Sequence, residues 1–475
     1  MLRSRGFDEL DEVPRHMAGP ILFLLMALAI YGLIAFGIVD LPEHIGFAFV
    51  AMLVVYFVTL IDIRFGIVCL VFAIGLSPEV EYGGAGNLRL EDFLMPGLLI
   101  AWLTRSVSKR EEFASTSLKA PITMILVLSV VSTVLGAASG TVELQRAFFH
   151  VGKTFIYYLM MVLVMNNVDS ERSAYIFIIT MVVVAVATAL HGYGTFALGD
   201  GSKVSGPFGE SSNILGGYLI FHLALIVGLA FGVPRILHKV ILGVCFFVVF
   251  KAFLHTMSRT SYVALLLGVG VFAVMKRRTV LIAMFLFLVV VPVIVPSDVL
   301  DRAATILDVL GPKPPSSWNA RVAGWTKYGR TLMTDPLLGR GVGSIKLADV
   351  DNEYMKVLVE TGLLGSLAFF WLLYAMAKLS LSTYEKAKNN PLLGAYCLGY
   401  LGALFTLAVH GLGATSFTTI RTMEPLMVAT GVLVAINNNY DKWHARQPKE
   451  TTSAFELGSP LRPVPLQGRV LHRRF

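Results

Sequence analysis

The chain has 475 residues, of which 56% are hydrophobic and only 15% charged, with a formal net charge of +8. Soluble domains carry about 25% charged residues, so this composition excludes a soluble enzyme and reads as an all-α, polytopic membrane protein. The basic excess then reports membrane orientation and not nucleic-acid binding. The three cysteines, Cys69, Cys245 and Cys397, all fall in apolar stretches and imply no disulfide framework.

A membrane-spanning helix needs roughly twenty apolar residues. Such windows predict about fourteen spans, near 18–39, 44–62, 64–78, 91–106, 119–138, 144–166, 173–197, 212–232, 239–256, 260–276, 279–296, 350–378, 391–412 and 420–438. The chain then divides into a cytoplasmic segment (1–17), helices 1–11 (18–296), a helical extracytoplasmic loop (297–349), helices 12–14 (350–439) and a basic, disordered cytoplasmic tail (440–475). The first 17 residues show no cleavable signal, so the first span is expected to remain as an anchor. Clusters such as Arg3, Arg5 and Arg15, then Arg105, Lys109 and Arg110, then Lys276, Arg277 and Arg278 fall in alternate connections. They place both termini in the cytoplasm and the long loop outside.

The exceptions to that bias carry more information. Arg89, Arg146, Lys203, Arg259 and Arg421 stand singly in short segments assigned to the outer face, where each needs a reason. Snorkelling to headgroups, or pairing with an acid such as Glu91 or Glu424, is one. Arg146, His150 and Lys153 share one face of the sixth span, and Lys251, His255 and Arg259 recur at steps of four in the ninth. Charges at membrane depth normally face a cavity or a partner, so two cationic stripes suggest an anion pocket. After the seventh span, Ser211 or Ser212 with Asn213 can cap the next helix beside Lys203, and a helix N-terminus favours anions.

In the long loop, Ser297 opens an amphipathic helix that carries Val299, Leu300, Ala303, Ile306, Leu307 and Leu310 and stops at Gly311. After the rigid Lys313-Pro-Pro joint, a second helix from about Trp318 to Thr334 aligns Arg321, Trp325, Tyr328 and Leu332. That face suits either stacking on sugars or packing at the membrane interface. Gly339-Arg-Gly-Val-Gly343 lacks a preceding strand, so it reads as a tight turn aiming the next helix and not as a nucleotide loop. In that helix Lys356 can pair with Glu353 or Glu360, whereas Asp351 has no partner at helical spacing and is the candidate acid or base.

Several of these blocks, in their order, resemble the bacterial O-antigen ligase and O-antigen polymerase superfamily. They are Lys203-Val-Ser-Gly-Pro-Phe-Gly with Asn213, Thr256-Met-Ser-Arg259-Thr-Ser, and Arg321-Val-Ala-Gly-Trp325 leading to Pro336-Leu-Leu-Gly339-Arg-Gly341-Val-Gly343. Asp351-Asn352-Glu-Tyr354 and Glu360-Thr-Gly362-Leu-Leu-Gly365 complete the set. The resemblance implies a glycosyltransferase-C-like membrane fold and a donor glycan on polyprenyl pyrophosphate, used without metal or cofactor. It further implies flippase and chain-length regulator partners. By it, Lys203, Arg259 and Arg321 hold the pyrophosphate. Arg146 and Lys153 are expected beside them, Arg259 also acts in catalysis with Asp351, and Trp325, Tyr328, Asn352 and Glu353 are expected to meet glycan. Two departures matter: Lys203 stands where Arg is common, and Asp351-Asn352 stands where many ligases have His-Asn. The second favours a polymerase over a ligase. A small-anion transporter and a non-enzymatic envelope scaffold are the readings from other classes.

Overall fold

The computed structural model describes residues 62–77, 80–82, 86–110, 112–199, 203–206, 211–276, 297–306, 316–345 and 350–445, with Tyr56, Thr59, Asp308 and Gly311 as single positions. The spans expected at 18–39 and 279–296, nearly all of that at 44–62, the first 17 residues, the Lys313-Pro-Pro joint and the tail past 445 lie outside the described residues.

Among the described residues the chain forms α1 (Ile63–Leu76), α2 (Leu90–Lys109), α3 (Lys119–Ala138), α4 (Leu144–Asn167), α5 (Glu171–Ala197), α6 (Ser212–Gly232) and α7 (Ile236–Leu254). There follow α8 (Arg259–Lys276), α9 (Ser297–Ala304), α10 (Ser316–Thr331), α11 (Glu353–Ala387), α12 (Pro391–His410) and α13 (Ile420–Ala445). Helices α3 to α7 and α11 to α13, eight in all, are long and apolar enough to cross a membrane by length and composition. The fold is that of a polytopic helical membrane protein. One small antiparallel hairpin, β1 (Val80–Tyr82) with β2 (Gly86–Leu88), joins α1 to α2 and was not expected from the sequence.

Caps fix many of the boundaries that periodicity only approximates. Ser211 does cap α6, accepting from the Asn213 amide at 3.4 Å, and Asn390 accepts from Leu392 and Leu393 with Pro391 in the first turn of α12. Helix α13 continues to Ala445, so the tail expected from 440 begins as helix.

Helices α6, α12 and α13 form the enclosed centre, and α6 runs along α12. Their backbones touch where Gly228 meets Gly399, because a side chain on Gly228 would strike the Gly399 Cα. Small residues permit this approach where lipid offers no hydrophobic drive for association. Helix α7, by contrast, leaves Leu237, Val244 and Phe247 exposed, as a lipid-facing helix does.

Alternate helix ends gather at two poles. At one pole Arg64 pairs with Asp62 and Asp169, and Asn438 donates to the Ser115 carbonyl at 2.7 Å. The other pole, the loop pole, carries the ends of α1, α3, α5, α7 and α12, the starts of α2, α4, α6, α8, α11 and α13, and α9 and α10.

Hydropathy reads α11 as one span from 350, but its backbone breaks at Gly362, where φ is 68° and ψ −166°. The carbonyls and amides freed by that break are taken up by residues 336–341. Arg340 N donates to Val359 O at 2.8 Å and Gly341 N to Glu360 O at 2.9 Å, while Leu363 N donates to Pro336 O at 2.9 Å and Leu364 N to Leu337 O at 3.2 Å. A broken helix at membrane depth is tolerated only where its polar backbone is satisfied in this way. The Gly339-to-Gly343 motif therefore belongs in part to the segment that fills the break, and is not merely a turn aiming a helix. Gly362→Ala places a Cβ on the Leu337 carbonyl at a left-handed φ, and a loss of roughly 2–4 kcal/mol is expected, visible as a lowered unfolding temperature in detergent.

Candidate active site

The basic residues of the loop pole divide into those bound up in structure and those grouped around Arg259. Arg89 and Arg421 are fully buried. Arg89 Nε lies 2.9 Å from Glu91 Oε1, and its Nη2 donates to Ile74 O at 3.2 Å. Arg421 Nη1 donates to Ile74 O at 3.0 Å and Gly75 O at 2.6 Å, and Nη2 to Ser77 O at 3.4 Å. Those carbonyls belong to the last turn and C-cap of α1, which no intrahelical donor can satisfy. Pairing with Glu91 thus explains Arg89. Arg421 serves a helix end.

Lys153, expected to hold pyrophosphate, is buried in an ion pair with Asp92 of α2. Its charge is neutralised inside the bundle, and this corrects the reading of the α4 face as a free cationic stripe. Arg146 and His150 remain on that face, with His150 against Gly343.

The second stripe is also absent. Helix α7 ends at Leu254, and the connection turns through Met257 at φ 53° before α8 opens at Arg259. Lys251 lies over the Tyr193 ring at 4.4 Å, and the His255 ring packs against Tyr193 and Phe196. A four-residue spacing across a helix break does not define a face.

The break gives Arg259 a different setting. Its Nη1 donates to Thr305 Oγ1 at 3.3 Å, on the end of α9. Arg302, one turn back on α9, donates from Nε to the Met257 carbonyl at 3.3 Å. Arg302 and Arg321 both lie within electrostatic reach of Arg259, as does Asp308. Arg321, on α10, donates from Nε and Nη2 to Asp351 Oδ2 at 3.2 and 3.1 Å, with both side chains partly exposed. Guanidiniums from three separate elements therefore gather around Arg259, with Asp308 within its electrostatic reach and Asp351 paired to Arg321. Lys203 is exposed, on a segment fastened by Val204 N donating to His255 O at 2.8 Å. The adjoining residues 207–210 lie outside the described residues.

The remaining expected residues spread over several roles. Asn352 caps α11, accepting from Met355 N at 2.9 Å, and donates to Leu412 O at 2.9 Å. Glu353 is fully buried, with Oε2 accepting from Phe417 N at 2.9 Å, and it lines an internal cavity between α3, α4, α11 and α13. Lys356 pairs with Glu360 and not with Glu353. Trp325 stacks edge-on with Trp318 at 5.5 Å between centroids, whereas Tyr328 is buried with Ile345, Val350 and Val359. Only Trp318 and Trp325 of that helix's aromatic residues keep partly exposed rings. Among the described residues no three His, Cys, Asp or Glu side chains gather as a metal site requires.

Arg302 was missed by reading the sequence, although it sits on the polar side of the amphipathic helix that Val299 anchors. His410 was missed as well, because a lone histidine at the end of an apolar span carries no signal. No curated protein matches the chain. Residues 244–370, which run from α7 through the arginine cluster to the first half of α11, match the family model described as O-antigen ligase. Over that stretch the chain is similar to the O-antigen ligase family, as the sequence motifs suggested.

Proposed function

We propose that the protein polymerises polyprenyl-pyrophosphate-linked oligosaccharide repeat units on the outer face of the cytoplasmic membrane. The observation that carries this reading is the convergence of Arg259, Arg302 and Arg321 at the loop pole. Displacing a pyrophosphate from an anomeric carbon builds negative charge on the leaving oxygen. Guanidiniums fixed in advance stabilise that charge without reorganising at the moment of reaction. An acceptor hydroxyl attacks the anomeric carbon, the carbon–oxygen bond to pyrophosphate breaks with its electron pair, and inversion results. Arg259 and Arg302 face the pyrophosphate, with Lys203 at the rim.

Asp351 takes the acceptor's proton. Both bonds from Arg321 fall on Oδ2, which leaves Oδ1 to receive it while Arg321 fixes the carboxylate's orientation. Asp351→Asn is expected to lower turnover by about 10²- to 10⁴-fold, the usual weight of a general base. A loss of only a few-fold, equal to that of Arg321→Ala, would reassign Asp351 to holding Arg321.

The ligase reading, transfer of finished glycan to a lipid or protein acceptor, shares this chemistry. Cells lacking the gene separate the two. Single repeats without a ladder support the polymerase, and a full ladder retained on the carrier lipid supports the ligase. The broken α11 is the one feature that favours a small-anion transporter, but residues 336–341 occupy its freed backbone groups.

A further inference from the structure

Beside Arg259 a continuous line of side-chain hydrogen bonds runs from the start of α6 to the connection after α12. Ser258 Oγ donates to Asn213 Oδ1 at 2.7 Å. Ser258 Oγ and Ser261 Oγ are 2.7 Å apart, Ser261 Oγ and His410 Nε2 3.0 Å, and His410 Nδ1 and Ser416 Oγ 2.8 Å. Each hydroxyl owns one hydrogen, so the first bond fixes the direction of all the others. Ser261 donates to Ser258, His410 donates from Nε2 to Ser261, and Ser416 donates to His410 Nδ1. The imidazole is thus the one member that must donate on one edge and accept on the other. Ser258, Ser261, His410 and Ser416 are all buried.

This line passes through the first turn of α8. Ser258 precedes Arg259, and its Oγ also receives the Ser261 amide at 3.4 Å, which makes it the N-cap of the helix that Arg259 opens. Thr260, the next residue, donates to Gly413 O at 3.5 Å, just past the end of α12. The end of α12 therefore holds both neighbours of Arg259, while the guanidinium itself leans on Thr305 of α9.

We infer that His410 is a positioning residue for Arg259: through Ser261 and Ser258 it fixes the turn that aims the guanidinium at the anionic group of the substrate. This rests on the anion-holding role proposed above for Arg259. His410 never touches substrate; its effect passes entirely through the cap of α8. A core histidine that merely satisfied its own hydrogen bonds would influence stability alone.

The test is binding of geranylgeranyl pyrophosphate to the purified full-length chain in lipid nanodiscs. His410→Phe is expected to weaken binding by about tenfold, the worth of a buried hydrogen bond left unmade. His410→Gln, which keeps a donor near Ser261, is expected to retain most of the affinity. In an Arg259→Ala background His410→Phe should cause no further loss, because both substitutions remove the same interaction. Ser261→Ala removes only one hydroxyl, and should show a smaller loss that likewise vanishes without Arg259, even where the phenylalanine variant does not fold. Wild-type affinity in the folded His410→Phe protein, or losses that multiply with Arg259→Ala, would overturn the inference. Absence of binding by the wild-type chain would overturn the anion site itself, and with it this role.

Discussion

Arg259→Ala is expected to abolish polymer formation, slowing transfer by about 10²- to 10³-fold, with single lipid-linked repeats accumulating in cells. The magnitude follows from the position of the residue. Arg259 is the first residue of α8, its backbone is fixed by the capped turn, and its guanidinium is held by Thr305. A fixed cation stabilises the departing pyrophosphate more in the transition state than in the ground state, so its loss falls on turnover more than on substrate affinity. Arg259→Lys keeps the charge and loses the planar fork, and is expected to retain part of the activity. Normal polymer in cells carrying Arg259→Ala would remove the residue from the site.

The second large effect concerns folding. Arg421→Ala takes one donor from each of the carbonyls of Ile74, Gly75 and Ser77 at the end of α1. Glu424 has neither carboxylate oxygen hydrogen-bonded among the described residues and lies within electrostatic reach of Arg89 and Lys153. Hydrogen bonds from a charged group are worth roughly 1.5–3 kcal/mol each, so losing the guanidinium costs several kcal/mol. The expected result is a sharp fall in the amount of folded protein and in its unfolding temperature. Protein that does fold should turn over normally, since this cluster lies with α1, α2 and α13 and not with the arginines of α8 to α10. A stable Arg421→Ala protein without activity would mean that the cluster belongs to the reaction.

The two classes of basic residue explain how much the sequence could reveal. Spans and their order were legible because twenty apolar residues between charges have few other meanings, and α3, α4 and α6 begin where hydropathy placed them. The loop helices were legible in part from caps and period: α10 lies close to its expected range, and α9 opens at Ser297 as expected but ends at Ala304, short of Leu310. Charge partners were not. Asp92 lies 61 positions from Lys153, and nothing local says that they meet. The apparent stripe of Lys251, His255 and Arg259 failed for a related reason. Periodicity carries across a helix end when no proline marks it, and only the left-handed Met257 shows the break. The interruption of α11 was hidden because its repair comes from another segment, and Gly362 alone is an ordinary glycine in an apolar span. Arg302 and His410 became visible only once folding had set them beside Arg259 and Ser261.

The most direct measurement is turnover by the purified chain in nanodiscs supplied with one lipid-linked repeat unit, following both glycan length and released polyprenyl pyrophosphate. A ladder of products is expected, with one polyprenyl pyrophosphate freed for each repeat added, undiminished by a chelator and lost in Arg259→Ala. Release of no carrier pyrophosphate, or uptake of a small anion into sealed vesicles that Arg259→Ala leaves unchanged, would contradict glycan polymerisation at this site.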